Sequence, residues 1–209
     1  MNEEESQSLE ALLRRSQKLG FLGPGNPLAH IEHAEGLIAQ LDNLFDDAKF
    51  LGADLGSGGG VPGLIEALNF PNSRWIFVES MVKRAEFLEA AVAELGLSQR
   101  VSVLNERAET VGRDEQYRGI FDVVSSRSFG LPAITAECAA PLLRLRGYLI
   151  VSEPPVVDSD RWSTEGLAEL GLELQGLTNS WRRLMLTKPT SSRYPRRVGV
   201  PAKRPLWGT

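Results

Sequence analysis

The residues best suited to chemistry are the run Ala53-Asp54-Leu55-Gly56-Ser57-Gly58-Gly59-Gly60-Val61-Pro62-Gly63 and the acid Glu79, which closes the next apolar segment. Five glycines stand between a strand-like stretch, Phe50 to Leu55, and a short helix-like one, Leu64 to Asn69. Glycine bends the backbone through positive φ and lets a ligand approach without a Cβ in the way. An acidic residue at the end of the following strand can accept hydrogen bonds from two ribose hydroxyls with one carboxylate. The pattern describes a nucleoside-binding crevice at the carboxyl edge of a parallel sheet.

Two nucleoside classes use such a crevice. Gly58-Gly59-Gly60-Val61-Pro62-Gly63 formally satisfies the dinucleotide spacing, with glycines at its first, third and sixth positions. In so glycine-rich a run that match is weak, and Asp54 is the better discriminator. A pyrophosphate is repelled by a carboxylate beneath the loop, whereas the ammonium and sulfonium of S-adenosylmethionine are attracted to one. The residues therefore favour S-adenosylmethionine over a nicotinamide or flavin nucleotide; a glycine-rich turn without a ligand is the remaining alternative.

Elements that would position this loop follow from periodicity. Leu9, Leu12, Leu13 and Leu19 recur at helical spacing, and Asn26-Pro27 reads as an N-cap with proline at the first helical position. Apolar strands are expected at Phe50–Leu55, Trp75–Glu79, Val101–Leu104, Phe121–Ser125 and Tyr148–Ser152, with helices over Met81–Leu95 and Pro132–Leu145 between them. Strands of that kind alternating with helices imply a parallel sheet covered on both faces. Leu172–Leu177 and Arg183–Thr187 are expected to form a closing pair, with Asn179-Ser180 in their turn. The expectation is one domain: helices over 1–48, a sheet core over 49–190 and a basic tail over 191–209.

Composition excludes several classes. Hydrophobic residues make up 42% and charged ones 24%, ordinary for a soluble globular chain. The acidic start Met1-Asn2-Glu3-Glu4-Glu5 has no apolar core of a signal peptide, and no apolar run reaches a membrane span. A cytoplasmic monomer without membrane partners is expected. Cys138 is the single cysteine, so no internal disulfide is possible, and its helical setting suggests a buried, inert thiol. His30 and His33 are three apart beside Glu32 and Glu35, but no third strong ligand accompanies them, so structural roles are expected and no metal. From Arg182 onward there are eight basic residues and no acidic one, against 15 basic and 27 acidic before it. That end either meets phosphate or is a solvated tail offsetting the body's charge.

Further segments line up with the loop: Phe77-Val78-Glu79-Ser80, Lys83-Arg84-Ala85-Glu86-Phe87-Leu88, Arg107-Ala108-Glu109, Phe121-Asp122-Val123-Val124-Ser125-Ser126-Arg127, and Tyr194-Pro195-Arg196-Arg197-Val198-Gly199-Val200-Pro201-Ala202-Lys203-Arg204-Pro205-Leu206. In this order and spacing they resemble the glucose-inhibited division protein B family, bacterial guanine-N7 methyltransferases of small-subunit ribosomal RNA. The likeness runs from about Phe50 to Leu206. It implies an α/β, Rossmann-like class I methyltransferase with a seven-stranded, mostly parallel sheet after an N-terminal helical segment. It further implies S-adenosylmethionine as cofactor and ribosomal RNA or the small ribosomal subunit as partner.

Carried over residue by residue, the resemblance makes Gly56 to Val61, with Gly56, Ser57, Gly58, Gly60 and Val61 at the cofactor, the loop around its methionine and ribose parts, above the Asp54 carboxylate already read as favouring this ligand. Glu79 becomes the ribose ligand, Ala108 and Glu109 flank the adenine, and Arg127 lies near the methyl-transfer cleft. Arg196, Arg197, Lys203 and Arg204 become candidate RNA contacts. No general base is expected, because guanine N7 carries a free lone pair; alignment of the reacting atoms would carry catalysis. Where the family ends strand five with lysine-glycine, this chain has Ser152-Glu153-Pro154-Pro155. A carboxylate facing RNA phosphate would weaken affinity. A methyltransferase of a small molecule or protein, and a non-catalytic RNA-binding relative, are the alternatives.

Overall fold

The structure, a computed structural model, describes residues 1–46, 48–155 and 161–208. Residues 47 and 209 of the expected helical segment and tail lie outside it. Helix α1 (Glu3–Lys18) opens on a capping box: Asn2 accepts from the Glu5 amide, and the Glu5 carboxylate accepts from the Asn2 amide. Three glutamates in its first turn and Arg15 and Lys18 in its last complement the helix dipole. Helix α2 (Pro27–Phe45) starts where Asn26-Pro27 predicts, with the Asn26 side chain accepting from the Leu28 amide at 3.1 Å.

The alternation then runs β1 (Leu51–Leu55), α3 (Gly63–Asn69), β2 (Arg74–Val78), α4 (Val82–Glu94), β3 (Val101–Leu104), α5 (Ala108–Val111), β4 (Phe121–Ser126), α6 (Pro132–Ala139) and β5 (Leu143–Ser152). After α7 (Thr164–Leu170), β6 (Leu172–Thr178) and β7 (Trp181–Leu186) close the sheet, and α8 (Val200–Lys203) lies near the end. The sheet has seven strands in the order β3-β2-β1-β4-β5-β7-β6. Neighbours from β3 to β5 are parallel, while β7 is antiparallel to both β5 and β6. Strand order reverses between β1 and β4, which opens a crevice at their carboxyl ends. Asn179 and Ser180, at φ +47° and +65°, make the two-residue turn whose twist suits a hairpin.

Apolar residues fill both faces of the sheet. One core packs Leu9, Leu12, Leu37, Trp75, Phe77 and Trp181 beneath α1 to α4. The other packs Phe121, Leu142, Trp162, Leu167, Leu184 and Tyr194 beneath α5 to α7. Side chains alternate across β1, so Ala53 and Leu55 enter the second core while Asp54 turns to the first face, toward α3.

Two expectations need correction. The helix expected to reach Leu145 stops at Ala139, because Pro141 follows with no amide hydrogen to give and a ring that crowds the preceding turn. Strand β5 therefore begins at Leu143 rather than Tyr148. It passes a register shift opposite Phe121/Val123, where Arg146 has φ +66° and a Cβ on Gly147 would lie 2.9 Å from the Phe121 carbonyl. Helix α7 was not foreseen, although Ser163 caps it through the Gly166 amide and Gly171 ends it at φ +83°. That is a sequence signal for a short helix.

Candidate active site

The glycine loop leaves β1 over the end of β2. The amides of Gly56 and Ser57 donate to the Val78 carbonyl at 2.9 and 3.2 Å, and φ is +72° at Gly56 and +52° at Gly58. A Cβ on Gly56 would lie 2.8 Å from the Phe129 ring, so glycine is required both by conformation and by space. The loop is tied to Glu79, whose Oε2 accepts from the Gly58 amide at 2.9 Å and whose Oε1 accepts from the Met81 amide at 2.8 Å. An ionised carboxylate has about four lone-pair sites, so this fixed group retains capacity for two hydroxyl donors.

Gly56, Glu79, Met81, Ala108 and Glu109 line a hollow of about 250 Å³. Glu109 is buried yet accepts from the Gly199 amide at 2.9 Å and from Arg107 at 3.3 Å. Burial alone would raise its pKa, but those donors outweigh it and hold the carboxyl below its ordinary value. Cys138 also reaches this hollow, and burial pushes its thiol up, away from reactivity. An open glycine cradle and two anchored carboxylates fit a nucleoside bearing a positively charged sulfur chain.

Five of the six loop residues expected at the cofactor do not line this hollow, and Gly58 is joined to it only through its amide on Glu79. Ser57 donates its hydroxyl to the Asp54 carbonyl at 3.0 Å, Gly60 is closed off by Leu64, and Val61 belongs to the first core. Asp54 lies wholly buried beneath the loop, with Oδ2 on the Gly63 amide at 3.2 Å and Oδ1 without a partner among the described residues. Its neighbour is Glu66, equally buried, which the sequence reading passed over; Ser125 donates to one of its oxygens at 2.8 Å. Burial first, and then the Glu79 charge, raise Asp54 to about 7, while burial and Asp54 push Glu66 well above the carboxylate range.

This pair makes stability depend on pH. In the unfolded chain Asp54 ionises near 4, whereas the folded protein keeps that proton until about 7. The unfolded state thus binds fewer protons across this window, and stability falls as pH rises through it. A loss on the order of 2 kcal/mol between pH 5 and 7 is expected in urea unfolding. Glu66, raised by its burial and by Asp54, adds to the decline. Glu66→Gln is expected to remove the share of the decline that Glu66 contributes and keep the part that burial of Asp54 causes. A flat profile from pH 5 upward contradicts a buried, proton-holding pair.

A second hollow, about 380 Å³, adjoins the first across Ser128 and Phe129, which line both. Arg127 belongs here and not to the wall with Glu79: its guanidinium meets His30 Nδ1 at 2.7 Å, and its NH1 has no partner among the described residues. Burial and the Arg127 charge lower the pKa of both His30 and His33, so both stay neutral near pH 7. His33 Nε2 lies 2.8 Å from the Ser152 hydroxyl. The two histidines thus brace α2 against the ends of β4 and β5. Among the described residues no cluster of three His, Cys, Asp or Glu could hold a metal ion.

Glu153 does not present the free negative charge expected from its place in the sequence. Its Oε1 accepts from Trp162 Nε1 at 2.5 Å and Arg182 Nε at 3.1 Å, and its Oε2 from Arg161 at 2.7 Å. The basic end is likewise not a free tail. Arg196 forms a two-pronged pair with Glu137, Nε to Oε1 at 2.8 Å and NH2 to Oε2 at 2.5 Å, and Glu137 is fully buried. Arg118 adds bonds to the carbonyls of Thr190, Ser191 and Tyr194. The segment thereby packs on α5 and α6, and Ala202 reaches the first hollow. Arg197, Lys203 and Arg204 remain exposed.

The model of the family described as rRNA small subunit methyltransferase G matches residues 3–153. A ribosomal RNA small subunit methyltransferase G from Rubrobacter xylanophilus is 35% identical, over 98% of this chain and 83% of its own. The one from Roseiflexus sp. is 34% identical, over 97% and 93%. Among solved structures, the O-methyltransferase TomG from Streptomyces achromogenes, in complex with SAM, superposes with a TM-score of 0.57 over 90% of this chain and 91% of its own, at 17% identity. That likeness concerns the fold: a Rossmann-like class I methyltransferase sheet. The family match and the relatives together place the chain in the rRNA small subunit methyltransferase G family.

Proposed function

We infer that the protein is an S-adenosylmethionine-dependent methyltransferase of small-subunit ribosomal RNA, and that the methylated atom is guanine N7. The observation that carries this reading is the glycine cradle whose Gly58 amide is locked to Glu79, in a chain of this family. In it, Glu79 holds the ribose hydroxyls, Gly56 and Gly58 leave room for the sugar and methionine chain, and Ala108 and Glu109 border the adenine. When bound, the cofactor supplies an electrophilic methyl on a sulfonium. Asp54 acts from below, by fixing the Gly63 amide and hence the turn into α3, rather than by touching the ligand.

Target guanine enters from the second hollow, with Ser128 and Phe129 between base and cofactor and Arg127 at its wall. N7 needs no proton removed, which matches a site whose two histidines are spent on Arg127 and Ser152. What the residues supply is alignment, an effect able to lower a barrier by about 7–11 kcal/mol at its upper limit. Arg197, Lys203 and Arg204 are assigned to backbone phosphates, and Arg196 is not, since Glu137 holds it. Action as a cytoplasmic monomer is part of the same proposal; no described helix is long and apolar enough to cross a membrane.

The test is transfer of labelled methyl from S-adenosylmethionine to small ribosomal subunits, followed by strand cleavage specific for 7-methylguanine. Label confined to the small-subunit RNA, with scission at a guanine, is expected. Label in a metabolite or protein fraction instead would contradict the substrate, and failure to bind S-adenosylhomocysteine would contradict the enzyme.

A further inference from the structure

Glu153 and the guanidiniums around it carry an inference that rests on the RNA reading above. The Glu153 carboxylate is 1% exposed and lies between Arg161, 21% exposed, and Arg182, 14% exposed. One negative charge between two positive ones leaves this corner of the second hollow cationic. Trp162 takes part of Glu153's remaining acceptor capacity, so the carboxylate has little left to offer a ligand. Arg161 is different. Among the described residues its guanidinium makes one hydrogen bond, to Glu153, although a guanidinium has five N–H donors. Arg127 enters the same hollow from the end of β4, and its buried NH1 also lacks a partner among the described residues.

Two guanidiniums from separate segments thus bring unspent donors to one hollow beside the cofactor cradle. Arginine forks match phosphate oxygens, and burial sharpens their preference for an anion. We propose that Arg161 binds a backbone phosphate next to the target nucleotide, and that Glu153 is the positioning residue that aims it. The acid in this place of the sequence would then not repel RNA. It would convert a strand-end position into a mount for a cation supplied by the segment before α7.

The test uses the full chain and naked small-subunit ribosomal RNA. Affinity is measured at several salt concentrations, steady-state methylation gives KM and kcat, and S-adenosylhomocysteine calorimetry checks the fold. Arg161→Gln is expected to raise KM for RNA about tenfold with kcat within about twofold, and to reduce the salt slope by about one. Arg161→Lys keeps the charge but not the fork, so it should restore the slope and only part of KM. Glu153→Gln makes the hollow more positive, so bulk charge predicts tighter RNA binding; a positioning role predicts weaker. The proposal is overturned if Arg161→Gln binds RNA like the unmodified protein with the same slope. Tighter binding by Glu153→Gln overturns the positioning role. Should Glu153→Gln lose S-adenosylhomocysteine binding, the two Arg161 variants decide. An unmodified protein that binds S-adenosylhomocysteine yet methylates no RNA overturns both this proposal and the reading beneath it.

Discussion

Glu79→Gln is expected to weaken S-adenosylhomocysteine binding about 100-fold, read by calorimetry, while the protein stays folded. The carboxylate does two jobs at once. It closes the loop through the Gly58 amide at one oxygen and the Met81 amide at the other, and on the proposed reading its remaining lone pairs take the sugar hydroxyls. Glutamine replaces one acceptor by an NH2 group, which must then face an amide donor or a hydroxyl it cannot satisfy fully. Hydrogen bonds to a charged group contribute about 1.5–3 kcal/mol each, and an unmatched buried donor costs a similar amount. Losing one such bond and weakening a second is therefore about 3 kcal/mol, or roughly two decades in affinity. Glu79→Asp retains the charge but shortens the reach, and should fall between. An affinity within threefold of the unmodified protein for Glu79→Gln would remove the carboxylate from the binding site.

The second large effect concerns stability. Arg196→Met is expected to lower the unfolding free energy by about 3 kcal/mol, because it leaves the Glu137 carboxylate buried without its cation. Arg196 is 27% exposed, so water can reach the vacated place, and the lower end of the usual range for a broken buried pair applies. Two readouts should move together. Urea unfolding should show a lower midpoint, and trypsin should cut at Arg197 and Lys203 faster once the segment loosens. The double variant Glu137→Gln with Arg196→Met should recover much of the loss, since no charge is then stranded. S-adenosylhomocysteine affinity should fall several-fold in the single variant, because the Gly199 amide that orients Glu109 lies on the same segment. Unchanged stability in Arg196→Met would mean that the pair contributes nothing to tail docking.

What was readable beforehand follows a physical divide. The loop, Glu79, the parallel strands and the closing hairpin were legible because each is written in local terms: glycine runs, two-residue alternation, a turn pair at Asn179-Ser180. The early start of β5 was not, since it depends on Pro141 breaking a helix and on Gly147 passing close to Phe121, a partner from another strand. Charged residues were the least legible. Glu66, Glu137 and Glu153 look like surface acids in a linear reading. All three are buried, and each is explained only by what folding brings beside it: Ser125, Arg196, and Arg161 with Arg182. Counting the charges of the basic end likewise overstated its freedom, because Arg182, Arg193 and Arg196 pair internally with Glu153, Glu169 and Glu137. The contacts of the histidine pair with Arg127 and Ser152 at the mouth of the second hollow were not readable without the placement of α2.

One contact of α1 reaches further than its size suggests. The Ser16 hydroxyl donates to the Gly59 carbonyl at 3.1 Å, and a Cβ on Gly59 would collide with that hydroxyl at 2.4 Å. The amino-terminal helix is therefore a backstop pressed on the outside of the glycine loop, with Phe21 and Leu22 completing the press. On the proposed reading of the loop as the cofactor's cradle, cofactor affinity is tunable from a surface that never meets the cofactor. A tag, a partner or a cut that lifts the first two dozen residues would slacken the grip on the sugar, leaving every residue that touches it in place.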